Sequence, residues 1–415
     1  MKESRTREFK STVTNTFLKT VSAYANYGDG VILFGVDDDG NAVGIENPKQ
    51  VCLDIENRIN DSIEPVPEYE ISVDQKKQVI TLKVFEGMHK PYMYKAKAYR
   101  RSDTATVPVD HQELTDLILE GKNLTFEELP ADDQNLSFHL LETKLSEALH
   151  TDAVTTDILK TLELYTDSKG ANNAAALLAD SNDFCGTQIV RFGDSVSIIL
   201  DREEFVHVSI LKQYDHSVSM YRKYYQYEQI KGSQRETVQL IPESAFREAV
   251  ANALVHRIWN TQANISISMF PDRIEIVSPG GLPKGISKED YLKGGISILR
   301  NRIIGNVFFR LHLIERFGTG IRRINEEYKD ATQKPIYDIT DNTIRITLPV
   351  FQKNNHLTAD ENKIYSLLKH KSMPSSAVSS ETGFGRSKTL RLLNKLVADG
   401  FVSVSGTGRG TTYSS

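Results

Sequence analysis

The stretch TNTFLKTVSAYANYGDGVILFGVDDDGN, residues 14–41, changes hydrophobic period in its middle. Phe17, Leu18, Val21, Tyr24 and Ala25 recur at helical spacing, with Thr14 or Asn15 available as a cap. Gly28 and Gly30 break that helix. Val31–Val36 then reads as a short buried strand, and DDDGN supplies a hairpin turn. A helix feeding directly into a strand and a turn predicts a compact α+β unit. An alternating strand at 76–87, a strand pair with a basic edge at 90–103 and a helix at 110–121 complete it, giving a first domain over 1–122.

The acidic, proline-bearing FEELPADDQ, 126–134, reads as a linker. Residues 123–240 form a mixed α/β scaffold, with helices at 137–148, 152–164 and 170–179 and strands near 187–200; no catalytic constellation is visible there. A second functional unit is expected over 241–351. It opens with a strong helix at 241–259, followed by two alternating strands within 263–283, a glycine loop feeding a helix at 315–328, and a strand at 341–351. A polar linker, 352–357, leads to a last unit, 358–415, with helices at 359–370, 374–382 and 386–399.

At 415 residues, two to four domains are expected. The net charge of −5 gives no global attraction to nucleic acid, but its distribution is uneven. Residues 358–415 hold eight Lys/Arg against four acids, so a basic module rides on an acidic body, which suits a local anionic partner. Cys52 and Cys185 lack metal-ligand spacing and read as small buried hydrophobes. No signal peptide and no apolar run long enough for a bilayer are seen, so a cytoplasmic protein without membrane partners is expected.

In the last unit the TGFG turn separates two short helices. Leu390, Leu393 and Leu396/Val397 give the second helix an apolar face, while Arg386, Lys388, Arg391 and Lys395 load its other side. Two strands flank SGTGRGT, a tip holding Arg409. This resembles a winged helix-turn-helix, in which the second helix enters the major groove and the wing meets phosphate. The competing use of such a module is dimerisation or protein contact.

In FREAVANALVHR, Glu248 and Asn252 lie four apart on one helix face, and His256 continues the row. An acid and an amide so placed suit a base that activates water and a ligand for Mg²⁺; a plain polar helix face is the alternative. With VSPGGLP and FGTG downstream, the order resembles the GHKL, or Bergerat-fold, ATPases. More closely, it resembles the divergent ATPase-like domain found beside Schlafen-type domains in prokaryotic regulators. By that resemblance Glu248 is the general base, Asn252 holds Mg²⁺, and Gly280, Gly281, Gly318, Thr319 and Gly320 approach ATP. Glycine-turn amides are a sound phosphate cradle. Ser278 stands where the superfamily has an adenine-reading aspartate, and a hydroxyl is a weaker acceptor. The other use of such a module is as a structural dimerisation unit.

The opening ESRTREFK, with AYANYGDG at 23–30 and GVDDDG at 35–40, resembles the Schlafen core, or AlbA-2 domain. Its members divide into nucleic-acid-binding regulators and metal-dependent ribonucleases of tRNA or rRNA. The resemblance implies a carboxylate triad of Glu3, Glu8 and Asp38 holding Mg²⁺ or Mn²⁺. Arg5, Arg7, Lys10, Arg100 and Arg101 would grip the backbone. Two plainer readings compete: Glu8 and Lys10 pin the first strand by ion pairing, and Asp37–Asp39 only form a turn.

The expected fold class is α+β: a Schlafen-like core, a Bergerat-like sandwich and a C-terminal winged helix. The expected function is a DNA-binding transcriptional regulator that senses nucleotide and acts as a homodimer or higher oligomer. The alternative is a metal-dependent endoribonuclease acting on tRNA or rRNA.

Overall fold

A computed structural model describes residues 2–150, 153–231, 234–283, 285–294, 298–315, 318–351, 357–369, 371–398, 401–406 and 411–414. The fold is α+β.

The N-terminal unit contains β1 (Arg7–Lys10), α1 (Phe17–Tyr27), β2 (Gly30–Phe34), α2 (Pro48–Ser62), β3 (Ile63–Glu64), β4 (Tyr69–Asp74) and β5 (Val79–Val84). It continues with β6 (Met93–Tyr94), β7 (Tyr99–Ser102), β8 (Ala105–Pro108) and α3 (His111–Gly121). Its sheet runs β1-β2-β5-β4, with only the β1–β2 pair parallel. That register sets Glu8 opposite Ile32. Phe17, Leu18 and Val21 of α1 bury against Ile32, Phe34, Ile80 and Leu82 of the sheet, and Phe17 meets Phe34 edge-on at 5.3 Å. The helix at α3 starts where a full capping box fixes it, Asp110 accepting from the Glu113 N–H and Glu113 from the Asp110 N–H. The α2 helix and β4 are additions to the sequence reading.

Next come a single 3₁₀ turn (Phe126–Glu128), α4 (His139–Leu149), α5 (Thr156–Thr161), β9 (Tyr165–Thr166), β10 (Gly170–Ala171) and α6 (Asn173–Leu178). They lead to β11 (Thr187–Phe192), β12 (Ile199–Phe205), α7 (Ile210–Tyr225) and the hairpin β13 (Gln226–Lys231)–β14 (Gln234–Gln239). Then follow α8 (Glu243–His256), β15 (Ile265–Met269), β16 (Arg273–Pro279), α9 (Lys288–Lys293), α10 (Arg302–Arg310), α11 (Gly320–Glu327), β17 (Ile336–Ile339) and β18 (Thr343–Pro349). One six-stranded sheet, β12-β11-β15-β16-β18-β17, takes strands from both sides of residue 240, and β11 and β15 are parallel across it. One core follows the sheet, joining Leu177, Ile189 and Tyr221 to Phe246, Leu254, Ile276 and Leu348. Scaffold and ATPase-like strands therefore share one hydrophobic interior.

The C-terminal module holds α12 (Ala359–Leu368), α13 (Ser375–Thr382), α14 (Arg386–Ala398) and the hairpin β19 (Ser403–Ser405)–β20 (Thr412–Ser414). Its separate small core is Ile364, Leu368, Val378, Leu393, Leu396, Val402 and Tyr413. Gly383 ends α13 in the left-handed region, φ 74°, which a Cβ would disfavour. No helix among the described residues is long and apolar enough to cross a membrane.

Candidate functional site

Among the described residues, the three N-terminal carboxylates do not form one group. Glu8 faces inward on β1 and is 5% exposed. Its carboxylate accepts from the Thr20 hydroxyl at 2.7 Å, and pairs with Lys10 at 2.7 Å and with Arg101 at 2.5 Å. Glu3 accepts the Phe9 N–H at 2.8 Å and so clamps the start of the strand. Asp38 is exposed on the turn, where Asp37 does the capping by accepting the Asn41 N–H at 2.7 Å. Those backbone N–H donors lower the Asp37 carboxyl below its usual range. Among the described residues no three His, Cys, Asp or Glu side chains group as a metal site. Glu8 is engaged by Lys10, Thr20 and Arg101 and Asp38 is exposed on its turn, so the described residues show no ready three-carboxylate donor set.

The expected phosphate contacts divide in the same way. Arg5 and Arg7 are exposed. Arg101 is buried and Lys10 is held on Glu8, while Arg100 pairs with Glu113 at 2.8 Å. A guanidinium taken from water keeps its place only against a counter-charge, so Arg101 is an internal strut rather than a surface grip.

On α8, Glu248 and Asn252 share a face as their spacing requires, and the Asn252 amide donates to Glu248 at 3.2 Å. Burial raises the Glu248 carboxyl, partly countered by the nearby Arg323 charge and by the Asn252 amide. Gly320, first residue of α11, packs directly on this pair: a Cβ there would sit 2.2 Å from Glu248 Oε1 and 2.8 Å from Asn252 Nδ2. Gly318 takes φ 60° just before it, and Thr319 is the cap position of α11 but makes no side-chain capping bond. Gly281 serves packing too, since its Cβ would lie 2.5 Å from the Asp341 carbonyl oxygen; Gly280 has φ 103°. Ser278 is buried, and its hydroxyl donates to the Ala253 carbonyl at 3.0 Å.

The space beside these groups is small. One cavity of about 60 Å³ is lined by Asn252, His256, Tyr291, Gly318 and Gly320, and another of about 20 Å³ by Ser278, Ile276 and Ile344. Small-molecule sites run to roughly 300–1,000 Å³. Among the described residues, the Glu248 acid and the Ser278 hydroxyl are turned on the protein, and the cavities beside them are smaller than such a site. Burial also depresses His256 to about 4 and lifts Tyr291 to about 12, so both are neutral at pH near 7.

In the C-terminal module, α14 turns Leu393 and Leu396 inward and leaves Arg386, Ser387, Arg391, Asn394 and Lys395 exposed. Two of its cations lean back on α12: Lys388 pairs with Asp360 at 2.7 Å and Lys395 with Glu361 at 2.6 Å. Arg386 and Arg391 have no ion partner among the described residues. Ser387 and Asn394 share the open face with Arg391 at spacings of four and three residues. The sequence reading passed over both, although the same helical spacing marks them. Arg409 lies outside the described residues.

Residues 3–110 match the family model described as Schlafen, AlbA_2. Residues 262–348 match the model HATPase_c_4, described as "Putative ATP-dependent DNA helicase recG C-terminal". The chain carries a Schlafen AlbA_2 domain and, after it, an ATPase-like domain of that kind. The second match begins beyond α8, so Glu248 and Asn252 lie outside it. No curated protein matches the chain. The crystal structure of the DIP2311 protein from Corynebacterium diphtheriae is similar at 17% identity and a TM-score of 0.50, over 99% of this chain and 92% of that one, a likeness of fold. The solution structure of the N-terminal domain of a "Putative ATP-dependent DNA Helicase RecG-related Protein" from Nitrosomonas europaea is 28% identical over 26% of this chain and 84% of that one, with a TM-score of 0.19.

Proposed function

We propose that this chain is a DNA-binding transcriptional regulator, cytoplasmic and dimeric, in which the C-terminal module is a winged helix-turn-helix. The observation that carries the reading is the open face of α14: Arg386, Ser387, Arg391 and Asn394 all reach solvent, behind a turn and ahead of a hairpin. Arginine and asparagine are the side chains that read guanine and adenine edges, and a helix of this length fits a major groove. The N-terminal domain adds Arg5 and Arg7 as surface cations. In this reading the ATPase-like domain is chiefly a dimerisation body, because its glycines and polar residues are engaged in packing.

The ribonuclease reading has less support, since Glu8 is committed to Lys10, Thr20 and Arg101. The regulator is tested by fluorescence anisotropy of the full chain on duplex DNA from upstream of its own gene, with a scrambled duplex of equal length. Tighter binding to the former, weakening steeply with salt, is the expected result. Equal affinity for both, or no binding, overturns it.

A further inference from the structure

Several large apolar side chains stand singly in water, which is ordinary. Four others fall in one short run: Val196, Ile198, Ile199 and Leu200 are 66%, 48%, 57% and 61% exposed. The run crosses the β11–β12 turn and enters β12, the edge strand of the six-stranded sheet. Among the described residues β12 pairs with β11 and with nothing on its outer side. An open strand edge is ordinarily guarded by charge. Exposed Arg202 and Glu204 guard the later half of β12, and the guard stops short of residues 198–200.

The β13–β14 hairpin is the second uncovered element. It forms a sheet of two strands alone, and residues 227–230 and 234–237 are all exposed, so over those positions neither face is covered. Tyr227 and Ile230 are 49% and 74% exposed. A two-stranded hairpin is marginal in water without a third strand or a packed face. Its root lies beside the bare edge. Lys223 and Tyr224, at the end of α7, both reach Asp201 of β12, at 2.8 and 2.5 Å, and β13 begins two residues later. Within one copy the hairpin nonetheless leaves β12 unpaired.

A strand edge lacking a neighbour and a hairpin lacking a third strand complete each other when two copies meet. We propose that the occupant of this surface is a second copy of the chain: the β13–β14 hairpin of each copy adds to the free edge of β12 in the other, burying Tyr227 and Ile230 against residues 198–200. Main-chain hydrogen bonds across the edge supply affinity, and the apolar side chains set the register. Because hairpin root and edge adjoin at Asp201, a two-fold axis close to that residue makes both contacts at once. Charge also selects a like copy over nucleic acid. The hairpin balances Lys231 and Arg235 against Glu228 and Glu236, and the run 193–200 holds no cation. A phosphate backbone needs surplus cations, whereas homodimer surfaces are apolar with few net charges. The assignment rests on the dimeric reading above and names its surface.

Sedimentation equilibrium of the full chain tests it, with Ile230→Asp in the hairpin and Leu200→Asp at the edge. The native chain should be a dimer, and each substitution should weaken it roughly ten-fold or more. Circular dichroism should stay native, since both side chains are exposed. Should a charge at either position disturb folding, Tyr227→Ser and Ile199→Ser read the same two elements. The two variants mixed should associate more tightly than either alone, because the native hairpin of one then meets the native edge of the other. A monomeric native chain overturns the dimeric reading and this surface with it. A native dimer that both variants leave unchanged, or that only one of them weakens, overturns the surface alone, and so does a mixture no tighter than its components.

Discussion

Arg101 donates to Glu8 at 2.5 Å inside the N-terminal domain, where both side chains are almost wholly removed from water. Ninety-three residues of chain separate them, and the pair ties β7 to β1. Glu8→Ala is therefore expected to destabilise the domain by about 3–5 kcal/mol, because it strands a buried guanidinium. Replacing Glu8 and Arg101 together with apolar residues of like volume should cost much less. Urea unfolding of the single and double variants measures the coupling. A double-variant loss equal to the sum of the two single losses would mean that the pair is not coupled. It also follows that loss of any activity in Glu8→Ala is uninterpretable until its folding is measured.

That pair shows where sequence reading stops. The first helix and strand were legible because their signals are local: a helical period, two glycines and an apolar run, all within residues 14–36. The Glu248–Asn252 contact was legible because i and i+4 must meet on a helix. Helix α2 was missed because it is mostly polar, with only Pro48, Ile55 and Ile59 fully buried. The commitment of Arg101 to Glu8, and the entry of β11 and β12 into the ATPase-like sheet, depend on long-range pairing that no local pattern encodes. In α14 the amphipathic face was legible, but Asp360 and Glu361 drawing back Lys388 and Lys395 was not, since α12 supplies them from outside the motif.

Glu127 makes stability pH-dependent in a direction opposite to most carboxylates. Fully buried, it accepts from the Ile303 and Ile304 N–H groups at 2.7 and 3.0 Å and so caps α10. Burial lifts its carboxyl from 4.5 to about 7, outweighing those two donors. The folded chain then holds a proton there that the unfolded chain releases near 4.5, so this group's contribution to stability falls as pH rises from 4.5 to about 7 and is flat above. Glu127→Gln should abolish that slope. Thermal unfolding of both proteins at the two ends of the window checks it; parallel pH profiles would refute it.

Gly320 tests whether the ATPase-like site is closed by its own packing. Gly320→Ala places a methyl against Glu248 and Asn252 and should cost about 1–3 kcal/mol. Calorimetry of the native chain with ATP and Mg²⁺ should show no saturable heat at millimolar nucleotide, and Asn252→Ala should give the same trace. Saturable heat lost in Asn252→Ala would show that the site opens for nucleotide.

The cations of α14 should separate by their partners. Arg391 is exposed and unpaired among the described residues, so Arg391→Ala is expected to weaken DNA binding about ten-fold or more and to reduce the salt slope by about one. Lys395 is drawn onto Glu361, whose carboxyl is lowered to about 2 by that lysine and by the Thr358 N–H, so Lys395→Ala should change affinity little and chiefly loosen α12. Lys388 stands between them, paired with Asp360 and stacked 4.2 Å from Phe384, so Asp360→Asn, which frees its charge, should strengthen binding modestly. Anisotropy titrations at several salt concentrations read all three. If Lys395→Ala weakened binding as much as Arg391→Ala, the groove would have to lie along the α12 side of the helix, and the proposed recognition face would be the wrong one.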